Sequence, residues 1–379
     1  MFSEKVCCRR YAMHTLFGDG VHDDYPAIQE MLDSDSCEIR LPMPQKQYTL
    51  SHTLRIHSGQ ALVLPRYAVI RMTDAANCPM LTADGEENIT LQGGIWDYNN
   101  LGQAKNPIHF PDPTLSDYHG FMFFFHRIRN LHISGITAKD PVNFCIVLDT
   151  VRYFTVENVV FDFNYGNPWA VNMDGVHLNG NCHYGLIRNC QGACYDDLVA
   201  LNADEGSGGP ISHIEVDGIF SEDCHSAVRL LSVNYPVTHI HIHNVHGTFY
   251  QYCIGITKYY DGPSTGWYDA LLLENIHASK ATRHSIYHKD GTMEYPLFWF
   301  EGNLHIRGAV LRDLWRQESV SDVPMIKIEA GTVIDRLQLS RVFQQAESPL
   351  QPPVFINEGT VRTLLCDTSV PGTVPGDQL

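Results

Sequence analysis

Four stretches share one rhythm: LHISGI at 131–136, FTVENV at 154–159, IEVDGI at 214–219 and IHIHNV at 240–245. In each, apolar and polar residues alternate before a Gly or Asn is followed by one more apolar residue. Period two places Leu131, Ile133, Phe154, Val156, Ile214, Val216, Ile240 and Ile242 on one face and His132, Thr155, Glu215 and His241 on the other. Such a segment is a strand with one buried face. The Gly or Asn that follows tolerates a left-handed backbone, so the chain can turn there and begin another short strand. Leu304-His305-Ile306 repeats the alternation nearer the end.

The turning step recurs as Gly94-Ile95, Gly135-Ile136, Asn158-Val159, Asn189-Cys190, Gly218-Ile219, Asn244-Val245, Asn275-Ile276, Asp313-Leu314 and Arg341-Val342, at gaps of 41, 23, 31, 29, 26, 31, 38 and 28 residues. Closed propellers need regular blades, whereas a solenoid tolerates coils lengthened by insertions. The pattern predicts an all-β, single-stranded right-handed parallel β-helix in which side-chain amides can stack from coil to coil. One domain over 1–379 is expected, with an N-terminal capping segment at about 18–35, coils at about 60–358 and a loose tail at about 359–379. The capping segment GDGVHDDYPAIQEMLDSD suggests a short helix: Asp23 or Asp24 can cap it, Pro26 suits its first turn, and Ala27, Ile28, Met31 and Leu32 form one apolar stripe. The end, VPGTVPGDQL, loses the strand pattern to Pro and Gly.

The 379 residues are 44% hydrophobic and 18% charged, enough for a large core. Lys plus Arg number 26 against 43 Asp plus Glu, a net charge of −17. That charge repels phosphate backbones and anionic lipid, which argues against nucleic acid and membrane as partners. No apolar run approaches the roughly 20 residues of a spanning helix, and MFSEKVCCRR lacks an apolar signal core. Eleven cysteines are odd in number and scattered, with Cys7 beside Cys8 and a loose set at Cys182, Cys190 and Cys194. They read as reduced, buried thiols of a cytoplasmic protein; export by a signal outside this sequence is the alternative. No feature speaks to oligomeric state.

Motifs for chemistry cluster in the first two thirds. GDGVHDDYPAIQ at 18–29, GGIWDYNN at 93–100, VNMDGVHL at 171–178 and YDDLVALNADEG at 195–206 resemble glycoside hydrolase family 28, the polygalacturonase group of the pectin-lyase-like β-helix superfamily. The resemblance runs from about residue 18 to about 260. It implies three catalytic aspartates, Asp174, Asp196 and Asp197. Asp196 would be the general acid, while Asp174 and Asp197 would position and deprotonate a water, with inversion at the anomeric carbon. Asn172, in the same Asn-x-Asp motif, would face the substrate. The spacing agrees independently: Asp174 and Asp196 are 22 residues apart, about one coil, so they stack. Crowded carboxylates raise at least one pKa, leaving an acid beside a base, the pair that glycoside hydrolysis requires. The plainer alternative is that these aspartates only shape bends.

Two further family signatures are altered. Where a Gly-His-Gly is expected the chain reads DCHSAVRLLS at 223–232, with His225 displaced; where an Arg-Ile-Lys is expected it reads CIGITKYYDG at 253–262, offering Lys258. Arg229 either grips a substrate carboxylate with its fork or pairs with Asp223 or Glu222. The expected substrate is therefore a polysaccharide or oligosaccharide, pectin-like, of uronide, galactoside or rhamnoside character. Trp169, Tyr165, Tyr195, Tyr235, Tyr250, Tyr259 and Tyr260 lie near these motifs and suit either sugar stacking, with Trp169 and Tyr195 foremost, or packing between coils.

THIHIHNVH at 238–246 sets His239, His241 and His243 on one side of a strand, with His246 beyond the bend. Alternate residues rise about 6.5 to 7 Å apart, too far to share an ion unless a neighbouring coil helps. A solvated face is expected, with no metal and no cofactor. The function expected is glycoside hydrolysis. A polysaccharide lyase of the same superfamily would need a calcium-binding acidic cluster with a catalytic Arg or Lys, and a tail-spike-like carbohydrate-binding β-helix would carry aromatics without the acids.

Overall fold

A computed structural model of the chain describes residues 14–164, 167–282 and 295–367. Every strand pairing in it is parallel, and the strands wind into a right-handed β-helix with three faces. One face runs through 38–40, 61–63, 87–92, 129–134 and the leading halves of 152–162, 183–193, 211–231 and 237–257. A second begins at 48–50 and takes the portion just after each bend. The third comprises 54–55, 81–84, 123–126, 146–149, 176–178, 197–202, the trailing portions of 211–231 and 237–257, then 298–300, 326–328 and 355–357. The carboxylates lie at the leading edge of this third face.

The alternation read from the sequence holds. Leu131, Ile133, Phe154, Val156, Ile214, Val216, Ile240, Ile242, Leu304 and Ile306 are buried in one continuous core, while His132, Glu215 and His241 stand outside it. At every one of the nine turning steps the first residue has a left-handed backbone, from Gly94 (φ 83°) and Asn158 (φ 57°) to Asp313 (φ 56°) and Arg341 (φ 51°). The expected amide stacking is present: Asn189 donates to Asn158 at 3.1 Å, and Asn275 to Asn244 at 2.6 Å. In the last coils an ion pair takes its place, with Arg341 Nη2 2.6 Å from Asp313 Oδ2.

The helix spans Tyr25–Leu32 and buries Ala27, Ile28 and Leu32 against the first coils. Asp24 occupies its N-cap position, but the carboxylate does not cap. It accepts instead from the backbone N–H groups of Phe17, Gly18 and Thr49, tying the entering chain to the first coil. Two boundaries differ from expectation. Coils begin at Glu38 rather than near 60, because 38–55 forms strands of two and three residues interrupted by Pro42 and Pro44, too short to show period two. At the other end Thr360–Val361 and Leu364–Cys366 still pair with 333–339, so the ladder continues into the expected tail; residues 368–379 lie outside the described residues, as do Cys7 and Cys8. The nine described cysteines are free thiols.

The bends make a prediction. Asn244 is left-handed (φ 57°) and donates to Asp217 at 2.6 Å. Asn244→Val places a β-branched residue in a conformation it resists and removes the amide's contacts with Asp217, His243 and Asn275, so it should destabilise by about 1–3 kcal/mol, whereas Asn244→Gly loses the same contacts but keeps the conformation. Thermal melts should show the valine variant below the glycine variant; the reverse order would refute a conformational requirement at the bend.

Candidate active site

Register decides which acids meet. Val176 pairs with Val199, an offset of 23, so Asp174 stands level with Asp197 and not, as the 22-residue spacing suggested, with Asp196. The rank continues through Ser226 and Tyr252 on the next two coils. Asp197 Oδ1 accepts from the Ser226 hydroxyl and from Tyr252 Oη at 3.1 Å, and the Asp197 N–H donates to Asp174 Oδ1 at 3.0 Å. Asp196 and His225 join them: one ligating atom each of Asp196, Asp197 and His225 lies within 4.8 Å of the others, and His225 Nδ1 is 3.5 Å from Asp196 Oδ1.

All three aspartates are buried. Burial, reinforced by the charges of Asp197 and Asp174, holds the Asp196 carboxyl well above the usual range. Burial pushes Asp197 up as well, to about 6, but there the guanidinium of Arg229 pulls the other way. At neutral pH Asp196 therefore keeps its proton beside an ionised Asp197. This cluster could offer oxygen and nitrogen ligands to a cation, yet a proton on Asp196 and a guanidinium on Asp197 already meet its demand for positive charge.

Arg229 sits between Ala200 and Gly255 on the flanking coils, small residues that leave room for its side chain. Its Nε is 2.9 Å from Asp197 Oδ2 and its Nη2 3.9 Å from Glu205 Oε1, with the Tyr259 ring 5.5 Å away. The Nε–H is not aimed at the carboxylate, so the contact is an ion pair without a hydrogen bond. Neither Asp223 nor Glu222 is its partner; both lie within the strand irregularity between Ser221 and Ser226, at the bend.

His177 and Glu205 were not singled out from the sequence. His177 is fully buried, stacked on Phe144 at 3.8 Å, with Nδ1 2.7 Å from Asp174 Oδ2 and Nε2 3.1 Å from Glu205 Oε2. Burial would lower its pKa, but the two carboxylates overcome this and raise it to about 9. Burial would likewise raise Glu205, but the hydrogen bond and charge of His177, with Arg229, bring it to about 2. Both residues lie inside the quoted motifs, His177 three residues after Asp174 and Glu205 eight after Asp197. Chain spacing alone gave no sign that an imidazolium would bridge them.

The remaining expected residues divide. Asn172 donates to Asn143 at 3.2 Å, on the approach to Asp174. Lys258 is buried, its Nζ donating to the Gly262 carbonyl at 2.6 Å and its N–H to Glu301. Tyr195 is buried and donates to the Asn164 carbonyl at 3.0 Å, so it is a packing residue with no face for a sugar. Trp169 is 41% exposed, but the Lys105 ammonium lies 3.3 Å from its ring centroid and Phe110 packs edge-on. Tyr250 is buried against His225, Tyr260 donates to Glu205 at 2.9 Å, and Tyr235 is exposed. Tyr165 lies outside the described residues.

Residues 65–226 match the family described as Glycosyl hydrolases family 28, so the resemblance read from the motifs holds over the segment that carries all three aspartates. No curated protein matches the chain in sequence. Among solved structures it is similar to an endo-xylogalacturonan hydrolase from Aspergillus tubingensis, with 17% identity, 95% of this chain and 97% of that one covered, and a TM-score of 0.61. It is similar to a family 28 exopolygalacturonase from Yersinia enterocolitica at 12% identity, covering 93% and 76%, TM-score 0.59. It is also similar to a tailspike protein of the E. coli bacteriophage HK620 at 14% identity, covering 92% and 63%, TM-score 0.61. At these identities the likeness is one of fold.

The Arg229 pair can be tested without a substrate. Arg229→Met strands the buried Asp197 carboxyl, which should cost up to about 3–5 kcal/mol at alkaline pH, where the group is forced to ionise. Without the guanidinium the raised pKa of Asp197 rises further. The wild type ionises Asp197 from about pH 6 whereas the variant keeps its proton to a higher pH, so the deficit should be near zero below about pH 6 and grow as the pH rises above it. Melting curves across that range check it; a deficit independent of pH would point to lost packing instead.

Proposed function

We propose that the chain is an inverting glycoside hydrolase acting on a pectin-like polysaccharide or oligosaccharide. The observation that carries this reading is the buried cluster of Asp174, Asp196 and Asp197, in which Asp196 is held protonated beside an ionised neighbour. The Asp196 carboxyl would give its proton to the glycosidic oxygen as that bond breaks. A water would attack the anomeric carbon, passing its proton to Asp174 or Asp197. The imidazolium of His177 would keep one oxygen of Asp174 occupied and its carboxylate oriented. The proton on Asp196 and the guanidinium paired with Asp197 count against the calcium-binding acidic cluster with a catalytic Arg or Lys that a lyase would need, and buried acids in opposite protonation states count against a purely binding module.

The substrate follows from the cations. With Arg229 committed to Asp197 and Glu205, and Lys258 to a carbonyl, neither is arranged to hold a uronate carboxylate at the reacting sugar. That favours cleavage at a galactose or rhamnose unit over cleavage within a run of uronates. Inversion rests on the family resemblance. Asp196 and Asp197 approach more closely than the roughly 6.5–9.5 Å usual for inverting pairs, so the anomeric configuration of the first product, read by proton NMR, is the decisive check of stereochemistry.

Reducing-sugar release from a panel of pectic polysaccharides tests the activity. Asp196→Asn keeps the volume and removes the transferable proton, so turnover should fall about 100-fold or more with the fold intact. The rate should rise as Asp197 ionises near pH 6 and fall at higher pH as Asp196 gives up its proton. A folded, fully active Asp196→Asn enzyme would remove Asp196 as the acid.

A further inference from the structure

His241 and His243 are used neither by the core nor by the catalytic cluster. They lie on the first face, whereas the aspartates edge the third. On its outer side Glu215 stands level with His241, and Asp217 with His243, on neighbouring coils. The imidazoles of His241 and His243 do not stand apart at the strand repeat. They lean together and stack with centroids 4.1 Å apart, and one ligating atom each of Glu215, His241 and His243 lies within 4.8 Å of the others. The neighbouring coil thus supplies the help that a flat strand lacks. His239 takes no part, because its left-handed backbone (φ 55°) turns it into a separate stack on His213.

We propose that Glu215, His241 and His243 form a site for a divalent zinc-like ion on the outer face of the helix, clipping the coil at 211–217 to the coil at 237–243. Two imidazoles and a carboxylate suit such an ion and leave a coordination position for water. The surroundings fit as well as the ligands. Metal-bound imidazoles hold their second nitrogen against a carboxylate. Here His241 Nε2 is 2.7 Å from Glu274 Oε1, itself gripped by Arg312, which leaves Nδ1 for the ion. His243 Nε2 points to Glu215 Oε1 at 3.0 Å, while its Nδ1 lies 3.0 Å from the Asn244 amide nitrogen, which also donates to Asp217. His241 thus has a supporting carboxylate and His243 a supporting amide, and among the described residues Glu215 pairs with no cation but His243. The acidic chain as a whole attracts the ion.

Protein dialysed against a chelator and titrated with Zn²⁺ by calorimetry tests this, with Co²⁺ absorption reporting the ligand type. One ion should bind, with a cobalt spectrum lacking the intense near-ultraviolet thiolate band. His241→Gln and His243→Gln should each weaken binding by about tenfold or more. Saturating Zn²⁺ should raise the Tm of the wild type and not that of the double variant. Glu215→Gln, at an exposed position, gives a second reading should a histidine variant fold poorly, and should also weaken binding. His225→Asn, in the other cluster with ligating atoms, should bind Zn²⁺ as the wild type does. Absence of Zn²⁺ binding, unchanged binding in the double variant, loss of binding in His225→Asn, or a thiolate–cobalt band would each overturn the proposal.

Discussion

Parallel in-register pairing is the constraint on which everything else here depends. Each coil is hydrogen-bonded to the next through its backbone, so a residue's nearest non-local neighbour is whatever occupies the same place one coil away. Identical or compatible residues then repeat as ladders: amides at the bends, apolar side chains inside, rings outside. The same rule brings Asp174, Asp197, Ser226 and Tyr252 into one rank without any of them being adjacent in the chain.

That rank is costly for the fold. Three buried carboxylates repel one another, and the structure answers with a buried imidazolium, a buried guanidinium and a retained proton rather than with solvent. The chain of charge alternates: Asp174, His177, Glu205, Arg229, Asp197. Each member is held by the one before and after it, so none can be removed alone without leaving a buried charge uncompensated. Under the proposed hydrolysis such an arrangement is understandable as pre-organisation, in which opposite protonation states must persist side by side.

How far the sequence reached follows from the same constraint. Period two and the bend residues are local signals, and they located most of the strands, the core face and one series of left-handed turns; the second series, at Asn130, Tyr153, Tyr184, His213 and His239, carries no consistent Gly-or-Asn signature and was not legible. The first coils escaped because strands of two or three residues contain no full period. The three aspartates were legible because their motifs are local; which two stand level was not, since register depends on how many residues the intervening bend consumes. For the same reason the partners of Arg229 were sought at Asp223 and Glu222, near in the chain, and found at Asp197 and Glu205, near in the stack. His177 and Glu205 were hidden because their importance lies in each other. The strand repeat made the histidines look too distant to cooperate, yet side-chain lean closed the gap.

Stacking also changes what an exposed aromatic residue means. Phe220, His246, His277, Trp315 and Phe343 form one ladder along the outside of the helix, with centroids 5.3, 5.0, 5.7 and 4.1 Å apart and planes within about 25° of parallel. Tyr153, Tyr184, His213 and His239 form another. Four of the first set are exposed, yet their faces cover one another and edges meet water. A sugar stacks on a ring's face, so a ladder in perfect register is a poor platform however aromatic it is. Rings able to receive a glycan must leave the register, which happens only in the loops. Tyr259 and Tyr260, between the coils and beside Arg229 and Glu205, do so; Trp169 does too, but with Lys105 over its face. Under the proposed function the sugar contacts would thus be set by the irregular segments, while the regular ladder fixes where the acids stand.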